Sequence, residues 1–396
     1  MADRSLDQQG RIVTEQHEIR FNVPEYPGQD LAYLQQSLES GHTSANGQFS
    51  GKARQILQAE TGAADVLLTT SCTAALEMSA MLLDLGPDDT VIVPSFTFTS
   101  TALAYVRQGA KVVFCDIEPR TLGPDARHVA ELLDDSVRAV VLVHYAGIAC
   151  DVAGIRAVLA DRPDVAIIED NAHGLFGRWR GQPLGSLGRF ATLSFHDTKN
   201  FSCGEGGALV VADNADVDRA WIHYDKGTDR QAFFQGHVDK YSWRDNGSSF
   251  GLADPLAALL LSQLEHRESI QSRRRAVWER YLAGLTPYAE ELGLRLPVVP
   301  DDCEPAYHLF HVLLPEASMR SAVMGDLKGE GIATAFHYVT LHDSVGGVRY
   351  AAYPTECPVS VDVSARLLRL PFHNTLSTAD CDRVVETLLA SVAGRR

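Results

Sequence analysis

The sequence predicts an α/β fold: a doubly wound, mostly parallel sheet with helices on both faces, followed by a smaller carboxy-terminal α+β domain. Three observations support this. Short apolar runs of strand length alternate with helical patterns between residues 66 and 195. Polar and chemically versatile residues cluster just after the apolar runs, at the edge where such sheets bind ligands. With 396 residues and 45% hydrophobic content, the chain is long and apolar enough for two or three domains with a substantial core.

From Asp30, the segment DLAYLQQSLES places Leu31, Leu34 and Leu38 on one helical face, with Asp30 as cap. Residues 41–51 are small and polar and read as a loop, and a second helix is predicted over 52–61. A strand over 66–70 leads into Ser71, Cys72, Thr73 and Ala74, which open an Ala- and Leu-rich helix with a stop signal at Gly86. That helix start is either an ordinary cap or a phosphate cradle built from backbone amides and the Ser71 and Thr73 hydroxyls. Past a strand over 91–93, Phe98 is placed either to stack on a flat ligand or to fill the core. Strands over 111–115 and 138–143 and helices over 100–108 and 125–134 continue the alternation, and His144 and Tyr145 then fall at the sheet edge.

One stretch organises the rest. The apolar run 165–168 ends abruptly in Glu169 and Asp170, where a carboxylate is costly unless it has a partner. A second run, 190–195, leads into His196, Asp197, Thr198, Lys199 and Asn200 and then into Gly204, Gly206 and Gly207, which are turn residues or leave room for a ring. A carboxylate at one strand end and a lysine beyond another can meet at one sheet edge. That pair suits pyridoxal phosphate (PLP), which needs a lysine amine for its Schiff base and a carboxylate to keep its ring nitrogen protonated. Asp170 and Lys199 are the candidates.

Residues 224–250 are rich in aromatic, cationic and glycine residues and lack regular periodicity, so they read as a long functional loop. Within it Lys226 and Arg230 are candidates to hold a diphosphate, and Phe233, Phe234 or Trp243 to flank a base or sugar. A single long helix is predicted over 255–284, joining a domain of residues 1–254 to one of residues 255–396. Its Arg273, Arg274 and Arg275 read as a solvated face. Short strand-like runs and helices alternate from 292 onward and include Tyr307, His308, His337, Tyr338 and His342.

Composition excludes several classes. A formal charge of −16 argues against a nucleic-acid or anionic-membrane surface. No apolar run approaches the ~20 residues of a membrane span. The polar amino terminus, MADRSLDQQGRIVTEQHEIR, lacks the pattern of a signal or transit peptide. Seven cysteines, with no CxxC pair, point to reduced thiols in the cytoplasm. No metal site is expected, and no GxGxxG turn marks a nicotinamide-binding fold.

The ordered set EDNAHG, SFHDTKN and GEGGAL resembles the signature of the DegT/DnrJ/StrS aminotransferases, which act on keto sugars carried on nucleotides. The resemblance runs from about Phe21 to the end of the chain. It implies the type I PLP-dependent aminotransferase fold, with Lys199 bonded to the cofactor and Asp170 beneath the ring nitrogen. Ser71, Cys72 and Thr73 resemble the family's phosphate loop, with Cys72 where glycine is usual, and Ser194 matches a phosphate-binding serine. The resemblance places Phe98 over the ring and puts His173 where many members have a glutamine that meets the ring hydroxyl. It also implies a homodimer with shared active sites, in which Ser249 stands where the family's asparagine reaches the partner's cofactor phosphate. His337 and Tyr338 resemble a substrate-facing His-Tyr segment, and Tyr145 is a further candidate substrate contact.

The stretch WRDNGSS looks like the subset acting on TDP-4-keto-6-deoxyglucose, with L-glutamate as the implied amino donor. A 3-keto sugar aminotransferase and a PLP-dependent sugar dehydratase belong to the same family, although in the dehydratases histidine replaces the lysine kept here as Lys199. A non-catalytic sugar-nucleotide binder would tolerate loss of Lys199 or Asp170, and both are present.

Overall fold

A computed structural model describes residues 4–6, 12–14 and 17–395. The amino-terminal stretch read above as free of a leader lies partly outside these residues. Seven strands form the central sheet: β1 (Asp65–Thr69), β2 (Thr90–Pro94), β3 (Lys111–Cys115), β4 (Val137–Val143), β5 (Ala166–Asp170), β6 (Phe190–Ser194) and β7 (Gly207–Val211). Their spatial order is β1, β7, β6, β5, β4, β2, β3. Only β7 runs against its neighbours, and every other pair is parallel.

Burial on both faces explains why the strands read as continuous apolar runs. Along β2, Val91 and Val93 join the cluster beneath the helices Cys72–Leu82, Thr99–Arg107 and Asn214–Tyr224, while Ile92 points to the opposite layer. That opposite layer holds the helices Ala126–Leu132 and Val152–Val158. Beside them, Gln48–Thr61 and Asp254–Glu265 pack on the outward residues of β1, β6 and β7. A separate apolar cluster fills the carboxy-terminal part. It is built from the helices Arg267–Leu292, Met319–Gly329 and Thr378–Ala393 around the antiparallel strands His311–Leu313 and Leu367–Arg369. Among the described residues, no helix is long and apolar enough to cross a membrane.

Several local expectations are corrected. The single helix over 255–284 is two helices, Asp254–Glu265 and Arg267–Leu292. They break at His266, whose ring Nδ1 lies 2.9 Å from the Ser262 carbonyl, an acceptor of the preceding turn, while its backbone sits at φ −97°, ψ 13°. Asp30 is not the cap of its helix, because Gln29 holds that position. The buried Asp30 carboxylate instead accepts from the Gly28 amide and from Gln263. The alanine-rich helix stops at Leu82, short of Gly86, because Asp84 turns the chain with a φ of 52°. The irregular 224–250 segment contains a short helix, Arg230–Phe234.

The arginine triplet is not uniformly solvated, since Arg274 is only 3% exposed. It donates to the carbonyls of Tyr307 and His308 and to Asn374, and its guanidinium lies over the Phe372 ring. Three-residue spacing therefore says less than the fold, which turns one arginine of the three inward. Replacing Arg274 with Met strands these acceptors, and unpaired buried groups cost about 1–3 kcal/mol each. We expect Arg274→Met to lower unfolding stability by about 2–4 kcal/mol in urea titrations, and Arg273→Met to change it by less than about 0.5 kcal/mol.

The topology assembles one edge. β1 points the same way as β6 because both oppose β7, so the carboxyl ends of β1, β2, β4, β5 and β6 share a side. Register brings Asp170 level with Val143 on β4 and with Thr192 on β6.

Candidate active site

A cavity of about 450 Å³ opens at this edge. Ser71, Cys72, Thr73, Phe98, Asp170, His173, Ser194, Lys199, His337 and Tyr338 all line it. Residues up to 267 positions apart in the chain are thus brought to one space by the strand ends and by the carboxy-terminal part.

Ser71 caps the helix Cys72–Leu82, its Oγ accepting from the Ala74 amide at 3.1 Å. The hydroxyl proton is then free to be donated, and the first-turn amides carry the positive end of the helix dipole. Thr73 shares a 2.8 Å hydrogen bond with Ser100. The backbone of Ser71 and Cys72 packs so tightly on Gly207 that a Cβ there would lie 2.4 Å from the Cys72 nitrogen. Gly207 therefore holds the cradle in place by close approach, whereas Gly204 is a turn residue with a φ of 90°.

Asp170 is 7% exposed. Its Oδ2 accepts from Thr101 Oγ1 at 2.7 Å and its Oδ1 from the Ala172 amide at 3.3 Å. Thr97 lies 3.0 Å from Thr101, and with the Thr101 proton committed to Asp170, Thr97 is the donor of that pair. Glu169 points to the other face of β5. There His144 and the amides of Gly185, Leu187 and Gly188 satisfy it, which keeps His144 out of the cavity.

His173 Nδ1 accepts from the Ala146 amide, so the ring proton sits on Nε2. Burial holds this imidazole well below its ordinary pKa, with Lys199 and His337 adding to the effect, and the ring stays neutral. It stacks on His308 at 4.1 Å. Burial likewise draws the Lys199 ammonium from 10.5 down to about 8, with Arg369 pushing in the same direction and Cys72 and Asp170 opposing it. Phe98 is 60% exposed at the cavity mouth, 6.4 Å from the Tyr338 ring. Tyr338 in turn stacks on His337 at 4.0 Å.

Four sequence candidates do not line the cavity of their own chain. Tyr145 is fully buried behind it, with its hydroxyl 3.2 Å from His337 and its ring edge-on to His173 and Tyr338. Lys226 and Arg230 turn to Asp225, at 2.6 and 3.8 Å. Ser249 is exposed and bridges to Asp225. Conversely, sequence reasoning gave no role to Thr101, Ser100, His308 or Arg369. Arg369 carried a signal, a lone cation in the apolar run Leu367, Leu368, Arg369, Leu370. Thr101 carried none, because its partner lies 69 residues away.

The donor set fits pyridoxal phosphate. Hydroxyls and helix amides at Ser71 to Thr73 and Ser194 suit a phosphate, the neutral His173 offers Nε2–H, Asp170 is a fixed carboxylate, and Lys199 is an amine with a lowered pKa.

Comparison with known proteins agrees. Residues 25–389 match the model of the DegT/DnrJ/EryC1/StrS aminotransferase family. The spore coat polysaccharide biosynthesis protein SpsC of Bacillus subtilis is 30% identical over 387 residues, covering 96% of this chain and 98% of that protein. The aminotransferase TlmJ from Streptoalloteichus hindustanus superposes with a TM-score of 0.87 at 28% identity, covering 96% of this chain and all of TlmJ. Spr1654 from Streptococcus pneumoniae, in its PMP-form, gives a TM-score of 0.87 at 25% identity, covering 95% of this chain and 99% of its own. The chain belongs to the DegT/DnrJ/EryC1/StrS aminotransferase family and is a pyridoxal-phosphate-dependent aminotransferase.

Proposed function

We propose that this enzyme transfers an amino group from L-glutamate to the C-4 keto group of a nucleotide-linked 4-keto-6-deoxy sugar, with TDP-4-keto-6-deoxy-D-glucose as the preferred substrate. The observation that carries the reading is the meeting of Lys199 and Asp170 in one cavity beside a hydroxyl-lined helix start. The WRDNGSS stretch and the similarity to a polysaccharide biosynthesis protein support a sugar acceptor.

Bound pyridoxal phosphate supplies the aldehyde that receives the amino group and a protonated ring that takes up the electron pair released at carbon. Ser71, Thr73 and Ser194 would hold its phosphate, and Asp170 would keep the ring nitrogen protonated. Lys199, in its neutral form, removes the proton from the α-carbon of glutamate and later delivers one at C-4 of the sugar. Exposed Phe98 and the stacked His337 and Tyr338 form a flat wall against which the sugar is oriented.

We propose that the working unit is a homodimer in which Ser249, exposed and away from its own cavity, reaches the site of the partner. Leu31, 81% exposed, and Leu38, 57% exposed, support an apolar contact face on the helix Asp30–Glu39. Sedimentation equilibrium is expected to give about twice the 43.2 kDa chain mass. Seven free cysteines, six of them buried, suit a reducing cytoplasm.

The test is incubation of purified protein with PLP, L-glutamate and TDP-4-keto-6-deoxyglucose, followed by NMR of the product. The expected product is a TDP-4-amino-4,6-dideoxy sugar formed one-for-one with 2-oxoglutarate. Release of 2-oxoglutarate without an amino sugar would overturn the acceptor assignment.

A further inference from the structure

Arg369 ends the strand Leu367–Arg369 and lines the same cavity as Lys199 and Asp170. Its guanidinium lies 4.7 Å from the Phe21 ring centroid, and one Nη donates to His337 Nε2 at 2.5 Å. A guanidinium cannot accept, so the His337 proton must lie on Nδ1, where it is donated to the Tyr145 hydroxyl. Arg369 is thereby held in a fixed pose by His337 and, behind it, Tyr145.

Among the described residues no carboxylate forms an ion pair with Arg369. Its Nε is buried without a hydrogen-bond partner. Among the described residues, the groups that favour its charge are the hydroxyls of Tyr145 and Tyr338 rather than a carboxylate. The surrounding imidazoles of His173, His308, His311 and His337 are neutral, each lowered first by burial and then by neighbouring cations that include Arg369. Arg369 lines the cavity, and its second Nη makes no hydrogen bond to a described residue. Such a cation lowers its free energy by receiving an anion, and the paired Nη groups of a planar guanidinium match a carboxylate through two parallel hydrogen bonds. Phosphate has its own donors on the large-sheet side, at Ser71, Thr73 and Ser194.

We infer that Arg369 is the anchor for a carboxylate of the amino donor, and so a specificity residue for acidic amino acids. The inference rests on the proposed use of an amino-acid donor at this site. The competing anion is the diphosphate of the sugar nucleotide, and the test separates the two.

Holoenzyme is titrated calorimetrically with glutarate, a dicarboxylate that can neither give nor accept an amine, and separately with thymidine diphosphate. Arg369→Met is expected to weaken glutarate binding by about 10- to 100-fold while leaving thymidine diphosphate within about twofold. Arg369→Gln, which still offers His337 a donor but carries no charge, must show the same loss, so that misfolding of one variant does not decide the matter. Arg369→Lys should recover only part of the affinity, because an ammonium cannot form the fork.

Unchanged glutarate affinity in both neutral variants would overturn the assignment. So would loss of thymidine diphosphate affinity with glutarate affinity retained, or failure of the parent enzyme to bind glutarate. If glutarate binding depends on Arg369 but neither thymidine diphosphate nor the keto sugar binds, the sugar reading fails and the anchor stands.

Discussion

Lys199→Ala is expected to lower kcat/KM for amine transfer by at least about 10⁴-fold, because in the proposed mechanism one side chain both bonds the cofactor and moves the proton. Borohydride should then trap no cofactor on the protein, whereas in the parent enzyme the label should map to Lys199. The lowered pKa adds a pH signature. Below about pH 8 the amine is mostly protonated, so the rate of PLP capture by cofactor-free protein should rise about tenfold per pH unit and then flatten above pH 8.

Stability moves in the same direction. Below pH 8 both folded and unfolded chains carry the proton, and the folded state bears the full cost of dehydrating the ammonium. Between 8 and 10.5 the unfolded chain keeps a proton that the folded chain has lost, so this contribution becomes less unfavourable as pH rises. Cofactor-free Lys199→Met should accordingly melt higher than the parent at pH 7. A lower melting temperature would mean that Lys199 makes stabilising contacts in the folded protein that outweigh its burial.

Asp170→Asn is expected to reduce kcat by at least about 100-fold while leaving covalent capture of PLP by Lys199 intact. Asparagine keeps the shape and can still accept from Thr101, but it carries no charge to hold the proton on the ring nitrogen. The separation of capture from turnover is the informative readout, since loss of both would indicate a collapsed site instead. Thr101→Val removes the 2.7 Å donor to the same carboxylate and is expected to cost about tenfold in kcat. The two effects should not add: in the Asn background the Thr101 change should matter less, because the charge that the hydroxyl orients has gone.

Much of this site could be read from local chemistry. The carboxylate at the end of one apolar run and the lysine past another were legible because parallel sheets place such ends side by side, whatever lies between them. Ser71 to Thr73 was legible because a helix start after a strand exposes amides in a fixed direction. Arg274 was misread for the same reason in reverse: helical periodicity over a triplet of arginines gives no direction to the core, and the carbonyls of Tyr307 and His308 that draw it inward come from a distant turn. The break at His266 was equally invisible, since it depends on how the imidazole meets the backbone and not on a proline or glycine.

The sequence by itself determined the alternation of strands and helices, the family signature and the Asp170–Lys199 pair, because each follows from nearest-neighbour periodicity or from a contiguous motif. Only the tertiary structure decided which charges lack partners. It gave Glu169 four donors on one face of β5, turned Asp170 toward Thr101 on the other, paired Lys226 and Arg230 with Asp225, and set Arg369 in the cavity wall with no carboxylate partner among the described residues. The physical reason is that desolvation and charge pairing act between groups close in space, and chain order carries no measure of that distance.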